Sequence, residues 1–102
     1  CIRDSWLTDR LLEGGNRAPK YHAVSHARIA ESEATHRAIS LSELLDVPLL
    51  LVHVSTEEAM EEIRQAQARG LKIFGETCPQ YLYLNLEDHL GAPGFAGAGF
   101  VC

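Results

Sequence analysis

No apolar run in this chain approaches the roughly 20 residues that a membrane-spanning helix needs. The amino end, Cys1-Ile2-Arg3-Asp4, lacks the apolar core of a secretion signal. Positive charge is scarce: nine Lys and Arg stand against fourteen Asp and Glu, a net charge of −5. Without a basic cluster there is no electrostatic footprint for nucleic acid and no polybasic membrane anchor, so neither partner is expected. Cysteine is limited to Cys1, Cys78 and Cys102. An odd number without close spacing argues against a disulfide framework or a zinc knuckle, and the usage suits a cytoplasmic protein. Glycine and proline are not in excess, which sets aside fibrous and disordered classes. There is no internal repeat and no initiator methionine, and two of the three cysteines are terminal. The 102 residues are therefore expected to be an internal segment of something larger.

What the chain does carry is helical and strand patterning in alternation. Asp4 or Ser5 can cap a first helix on which Trp6, Leu7, Leu11 and Leu12 recur at helical spacing, with Gly14-Gly15 as its stop. A polar loop is expected from Asn16 to about His26. From Ala30 to Leu45 the residues Ala34, Ala38, Leu41 and Leu45 fall four, three and four apart, which defines a buried stripe on a second helix. Asp46-Val47-Pro48 ends it, because proline disfavours helix in the residue before it. The run Leu49 to Val54 is apolar on both alternating faces, as in a strand covered on both sides within a parallel sheet. Ser55 is placed to cap a third helix, with Glu58 completing a capping box. On that helix Ala59, Met60, Ile63 and Ala66 face inward, and Gly70 closes its carboxyl end. A second strand, Leu71 to Gly75, completes a βαβ unit, so the class is α/β with a right-handed crossover. Residues 87–102 contain the glycine-rich stretch from Gly91 to Gly99, without phosphate-loop spacing; it reads as an irregular loop or a truncated end.

In parallel α/β proteins, chemistry collects at the carboxyl ends of strands. His53 lies in the last part of its strand, where a neutral imidazole could coordinate Zn²⁺ through one nitrogen while an acceptor holds the other. On spacing alone, a lone histidine in an apolar strand is more often a satisfied core residue. The segment Glu76-Thr77-Cys78-Pro79-Gln80-Tyr81-Leu82 reaches the corresponding point of the second strand, and the two ends should face one cleft. Glu76 is a candidate neighbour of the ligand position. Cys78 has no adjacent base and reads as a packing residue rather than a nucleophile. Glu31, Glu33 and Arg37 can pair across a helix surface. His22, His26, His36 and His89 fall in loops or on polar helix positions and read as solvated. One ligand cannot hold a metal, and no residue of the chain is assigned a catalytic role.

Leu51-Val52-His53-Val54-Ser55 followed by Gly75-Glu76-Thr77-Cys78-Pro79-Gln80-Tyr81-Leu82 resembles the hydantoinase and dihydropyrimidinase family of cyclic amidohydrolases. Thr8-Asp9-Arg10-Leu11-Leu12, Pro19-Lys20-Tyr21-His22-Ala23 and Glu31-Ser32-Glu33-Ala34-Thr35-His36-Arg37-Ala38-Ile39 extend the likeness upstream in the same order, over residues 2 to 86. Gln80 stands where allantoinases usually carry histidine, and His26-Ala27 stands where the family commonly has Arg-Pro. The resemblance implies about two βα units of a metal-dependent (β/α)8 TIM barrel that opens the ring of dihydropyrimidines or 5-substituted hydantoins. It implies two Zn²⁺ ions per subunit, bridged by a carboxylated lysine outside this chain, with His53 as one histidine ligand. Lys20 does not match the bridging lysine. The paired histidines and that lysine are expected upstream, another histidine just before Cys1, and a catalytic aspartate beyond Cys102. The substrate would be a small cyclic ureide or imide, and the intact enzyme a homotetramer. An allantoinase or dihydroorotase, or a non-catalytic dihydropyrimidinase-related scaffold, remains open. Taken alone, a quarter of a closed barrel leaves strand edges unpaired and is expected to be inactive and marginal.

Overall fold

The computed structural model describes residues 2–101. It contains two compact units, one formed by Arg28–Tyr81 and the other by the residues before and after that stretch. The Arg28–Tyr81 unit is the expected α/β core. Helix α3 (Arg28–Leu45) leads to strand β1 (Leu49–Leu51), helix α4 (Glu57–Ala68) and strand β2 (Ile73–Gly75). β1 and β2 are parallel, with Leu49, Leu50 and Leu51 opposite Ile73, Phe74 and Gly75.

The inward face of α3 differs from the expected stripe. Ser32, Thr35, Ile39 and Ser42 are the buried positions, while Leu41 and Leu45 are exposed and Ala34 and Ala38 only partly covered. The buried positions also fall three, four and three apart, so periodicity fits both phases and packing decides between them. Small hydroxyl side chains let α3 approach α4, and their polar atoms are satisfied locally. Ser32 Oγ donates to the Ile29 carbonyl at 3.3 Å, and Ser42 Oγ to the Val47 carbonyl at 2.5 Å. The helix stops where Asp46 turns left-handed, at φ 51°. The Val47 N–H donates back to Ser42 O at 3.1 Å and the Asp46 N–H to Glu43 O at 3.3 Å, a Schellman-type end that acts ahead of Pro48.

On α4, Ala59, Ile63 and Ala66 are buried as expected, but Met60 is exposed. The cap is Thr56 rather than Ser55: its hydroxyl accepts the Ala59 N–H at 3.3 Å. Gly70, at φ +86°, closes the helix, with the Leu71 N–H donating to Ala66 O at 3.1 Å. Leu71 thereby joins a core of Ile39, Ile63, Ala66 and Ile73, which Leu49, Leu51 and Val54 also pack against. Both strands are shorter than expected, and only one face of the pair is covered. Leu50, Val52 and Phe74 point away from the core and are exposed.

In the other unit, helix α1 (Ile2–Glu13) begins ahead of Asp4 and Ser5, so neither is its cap. Its end is the expected glycine stop: Gly15, at φ +79°, accompanies bonds from the Asn16 N–H to Leu11 O and from the Gly15 N–H to Leu12 O. The expected polar loop contains a short helix, α2 (Tyr21–Ser25). The glycine-rich end is a series of tight turns rather than an open loop. A single wide turn, Leu86–Leu90, is capped by Asn85, whose Oδ1 accepts the Asp88 N–H at 2.7 Å. Gly97 is buried so close to the chain that a Cβ there would lie 2.1 Å from the Leu90 carbonyl oxygen. His89 is half-buried instead of solvated. Its Nδ1 accepts the Asn85 N–H at 3.2 Å, and its ring meets the edge of Phe100.

Candidate functional site

His53 follows β1 at its carboxyl end and is exposed. The backbone around it departs from a regular ladder. Beyond the Leu51–Gly75 pair, the Glu76 N–H donates to Leu51 O at 2.8 Å and the Val54 N–H donates to Glu76 O at 2.8 Å. In a regular parallel ladder one residue bonds to partners two positions apart; here they are three apart, so one extra residue is bulged out. His53 takes up that extra residue with φ 57°, a left-handed conformation that costs a side-chain-bearing residue about 1 kcal/mol. Bulges of this sort re-aim a side chain at the rim of a sheet.

Three interactions hold the bulge from outside the strand. The Glu31 carboxylate, on α3, accepts the Ser55 N–H at 2.7 Å and the Ser55 hydroxyl at 2.6 Å. Thr77 Oγ1, beyond β2, donates to the Val54 carbonyl at 2.7 Å. Arg28 bonds Glu58 on the first turn of α4, with Nη2 to Oε2 at 2.8 Å. The Glu58 carboxyl is held below its usual range, first by its own backbone N–H at the helix start and then by Arg28. The expected Ser55–Glu58 capping box therefore does not form; each partner is engaged by α3 instead.

Glu33 and Arg37 do pair along α3, at 2.8 Å, but Glu31 leaves that cluster to hold Ser55. The signal for Glu31 lay in its spacing: it precedes buried Thr35 by four residues and so shares the inward-facing side of the helix. Glu76 joins the site through its backbone, and its side chain is exposed. Cys78 is half-buried, in keeping with a packing role. His22, His26 and His36 are exposed as expected, although His36 Nδ1 lies 2.9 Å from Glu62 Oε2. A cavity of about 420 Å³ opens at the same end of the sheet between Ser55, Thr56, Met60, Glu76 and Thr77. His53 does not line it. Among the described residues, no three His, Cys, Asp or Glu side chains come together.

No family model matches the chain. It is 46% identical over 96 residues to the D-hydantoinase of Streptomyces coelicolor, which is 94% of this chain and 20% of that protein. It is 42% identical over 80 residues to the dihydropyrimidinase of Arabidopsis thaliana, 78% of this chain and 15% of that one. The crystal structure of dihydropyrimidinase from Brevibacillus agri superposes with a TM-score of 0.93 at 44% identity, covering 98% of this chain and 22% of that one. Over nearly its whole length the chain is similar to D-hydantoinases and dihydropyrimidinases. It spans about a fifth of the length of the curated relatives it matches. The family resemblance carried by the strand ends is thus borne out, and the βαβ core that presents His53 is part of a structure shared with these hydantoinases. Among the described residues, no helix is long and apolar enough to cross a membrane.

Proposed function

We propose that this chain forms about two βα units of a (β/α)8 barrel enzyme, a metal-dependent amidohydrolase that opens the ring amide of dihydropyrimidines or 5-substituted hydantoins. The observation that carries this reading is His53. It occupies a left-handed bulge at the carboxyl end of a parallel strand, within a sequence 46% identical to a D-hydantoinase. The exposed face of the sheet supports the barrel. Leu50, Val52 and Phe74 are apolar yet uncovered, as expected of side chains that fill a barrel interior in layers.

An exposed imidazole at that point fits one coordination position of Zn²⁺. With no cluster of three donors among the described residues, the centre is completed from elsewhere in the enzyme. The family pattern supplies paired histidines, a carboxylated lysine and an aspartate for that purpose. When bound, divalent ions supply Lewis-acid polarisation of the ring carbonyl. The chain's own part is to hold one ligand in place: the bulge aims His53, and Glu31 and Thr77 fix the backbone on either side of the turn that follows it. A homotetramer in the cytoplasm accords with this reading.

The test is a graft in which this chain replaces the matching segment of the Streptomyces coelicolor D-hydantoinase. Metal content and hydrolysis of hydantoin and dihydrouracil are then measured with and without His53→Ala. Retained turnover and about two zinc ions per subunit, both lost in the variant, are expected. A folded graft that keeps its metal and turnover after His53→Ala would overturn the assignment. A folded graft that is inert with His53 intact would favour a scaffold.

A further inference from the structure

His22 and His26 lie four residues apart across the short helix α2, and their rings are in contact, with centroids 4.4 Å apart and planes tilted by 42°. The hydrogen bonds around them decide a tautomer. His26 Nδ1 lies 2.7 Å from the His22 carbonyl oxygen and 3.1 Å from Ser25 Oγ. The Ser25 hydroxyl proton is already committed to that same carbonyl, at 2.7 Å. If Nδ1 were unprotonated, two lone pairs would face each other at 2.7 Å, so Nδ1 carries the proton and Nε2 carries the free lone pair. A backbone carbonyl holding one imidazole nitrogen so that the other faces outward is the arrangement that metal-binding histidines adopt. Neither nitrogen of His22 has a hydrogen-bond partner among the described residues. The pKa of its imidazole is lowered, first by partial burial and then by the neighbouring His26. Both rings are open to solvent.

The geometry points to a two-histidine chelate, His22 with His26, for a divalent transition ion of the imidazole-preferring kind: Cu²⁺, Ni²⁺ or Zn²⁺. Metal–imidazole bonds of about 2.1 Å at roughly a right angle bring the two donor nitrogens to about 3 Å apart. Rings already in contact at i and i+4 reach that spacing by side-chain rotation alone, with the remaining positions on the ion left to water. The site does not include His53. It depends on His22 and His26 alone, neither of which takes part in the strand-end site.

Ni²⁺ is the probe, titrated by calorimetry into the zinc-loaded graft that carries this segment, with imidazole resonances followed by NMR. The expected result is that His22 and His26 broaden first at substoichiometric Ni²⁺. Either His26→Arg or His22→Gln should weaken binding at least about tenfold, because the second donor acts at high effective concentration. His36→Gln, at an exposed histidine outside the pair, should leave the affinity unchanged. Arginine at an exposed position spares the fold, and any background from the three cysteines is common to all variants. Equal affinity in the parent and His26→Arg chains, or first broadening at another histidine, would overturn the proposal.

Discussion

Replacing Glu31 should loosen the turn that follows His53 without touching His53 itself. Two hydrogen bonds end on the Glu31 carboxylate, from the Ser55 N–H at 2.7 Å and from the Ser55 hydroxyl at 2.6 Å. Bonds to a charged acceptor contribute about 1.5–3 kcal/mol each when shielded. Glu31 is half-buried and Ser55 exposed, so solvent competes and about 1 kcal/mol apiece is the better figure. Glu31→Ala then costs about 2 kcal/mol of local stability, which is roughly a thirtyfold faster opening of the Ser55 amide. Glu31→Gln keeps one carbonyl acceptor and forfeits the charge, so it should lose about half as much, near fivefold. The assay is hydrogen exchange by mass spectrometry on the grafted hydantoinase, following peptides that contain Val54 to Met60. The α4 interior, around Ile63, serves as an internal control. On the proposed assignment of His53 as a metal ligand, the ranking of parent, Gln and Ala should reappear as falling zinc content, since a ligand on a mobile bulge binds less tightly. Unchanged exchange at Ser55 in Glu31→Ala would refute the clamp, and equal acceleration throughout α4 would show a general loss of packing instead.

Two further outcomes follow from the helices. Ile63 is buried at the centre of the core while Met60, three residues earlier, is exposed. Ile63→Ala should therefore destabilise by about 3 kcal/mol and Met60→Ala by less than about 0.5 kcal/mol, measured as urea midpoints of the graft; equal effects would contradict the observed phase of α4. Arg64 holds the Glu61 carboxyl down to about 2, with Gln65 as a second donor. Because the folded value lies below the unfolded one, whatever the pair contributes is in place above the ordinary glutamate value of 4.5 and is lost as pH falls from there toward about 2. A carboxyl ¹³C titration should place Glu61 well below the ordinary glutamate range, and Arg64→Ala should move it back toward that range.

Much of the scaffold was legible because its punctuation is local. Gly15 and Gly70 both sit left-handed at helix ends, each followed by the i to i−5 bond that such an end requires, and both are visible as glycine after a periodic stretch. The parallel pairing of two apolar runs across one helix was legible for the same reason. What failed were choices between equal local patterns. Ser55 and Thr56 are both good caps, and the choice falls on Thr56 because Ser55 is engaged by Glu31, 24 residues away. On α3, leucines outrank serines in any hydrophobic count, yet Ser32, Thr35 and Ser42 face inward and Leu41, Leu44 and Leu45 stay exposed.

That inversion and the exposed sheet face have one physical explanation. On the barrel reading proposed above, the chain carries apolar surface meant for elements outside it, so its hydrophobic pattern reports two environments at once. Leu50, Val52 and Phe74 account for one of these surfaces and Leu41, Leu44 and Leu45 for another, while the contacts internal to the segment fall to alanines, isoleucines and hydroxyls. The same logic explains why His53 was legible as a position but not as a geometry. Its place at the end of an apolar run is local information, whereas the left-handed bulge that aims it exists only because Glu76 pairs with Leu51 and Val54 rather than with neighbours two apart. A residue held in strained backbone by partners on α3 and in the segment beyond β2 is costly to keep unless its direction matters. The reading proposed above, ligation of a metal at the mouth of a barrel, gives that direction a use.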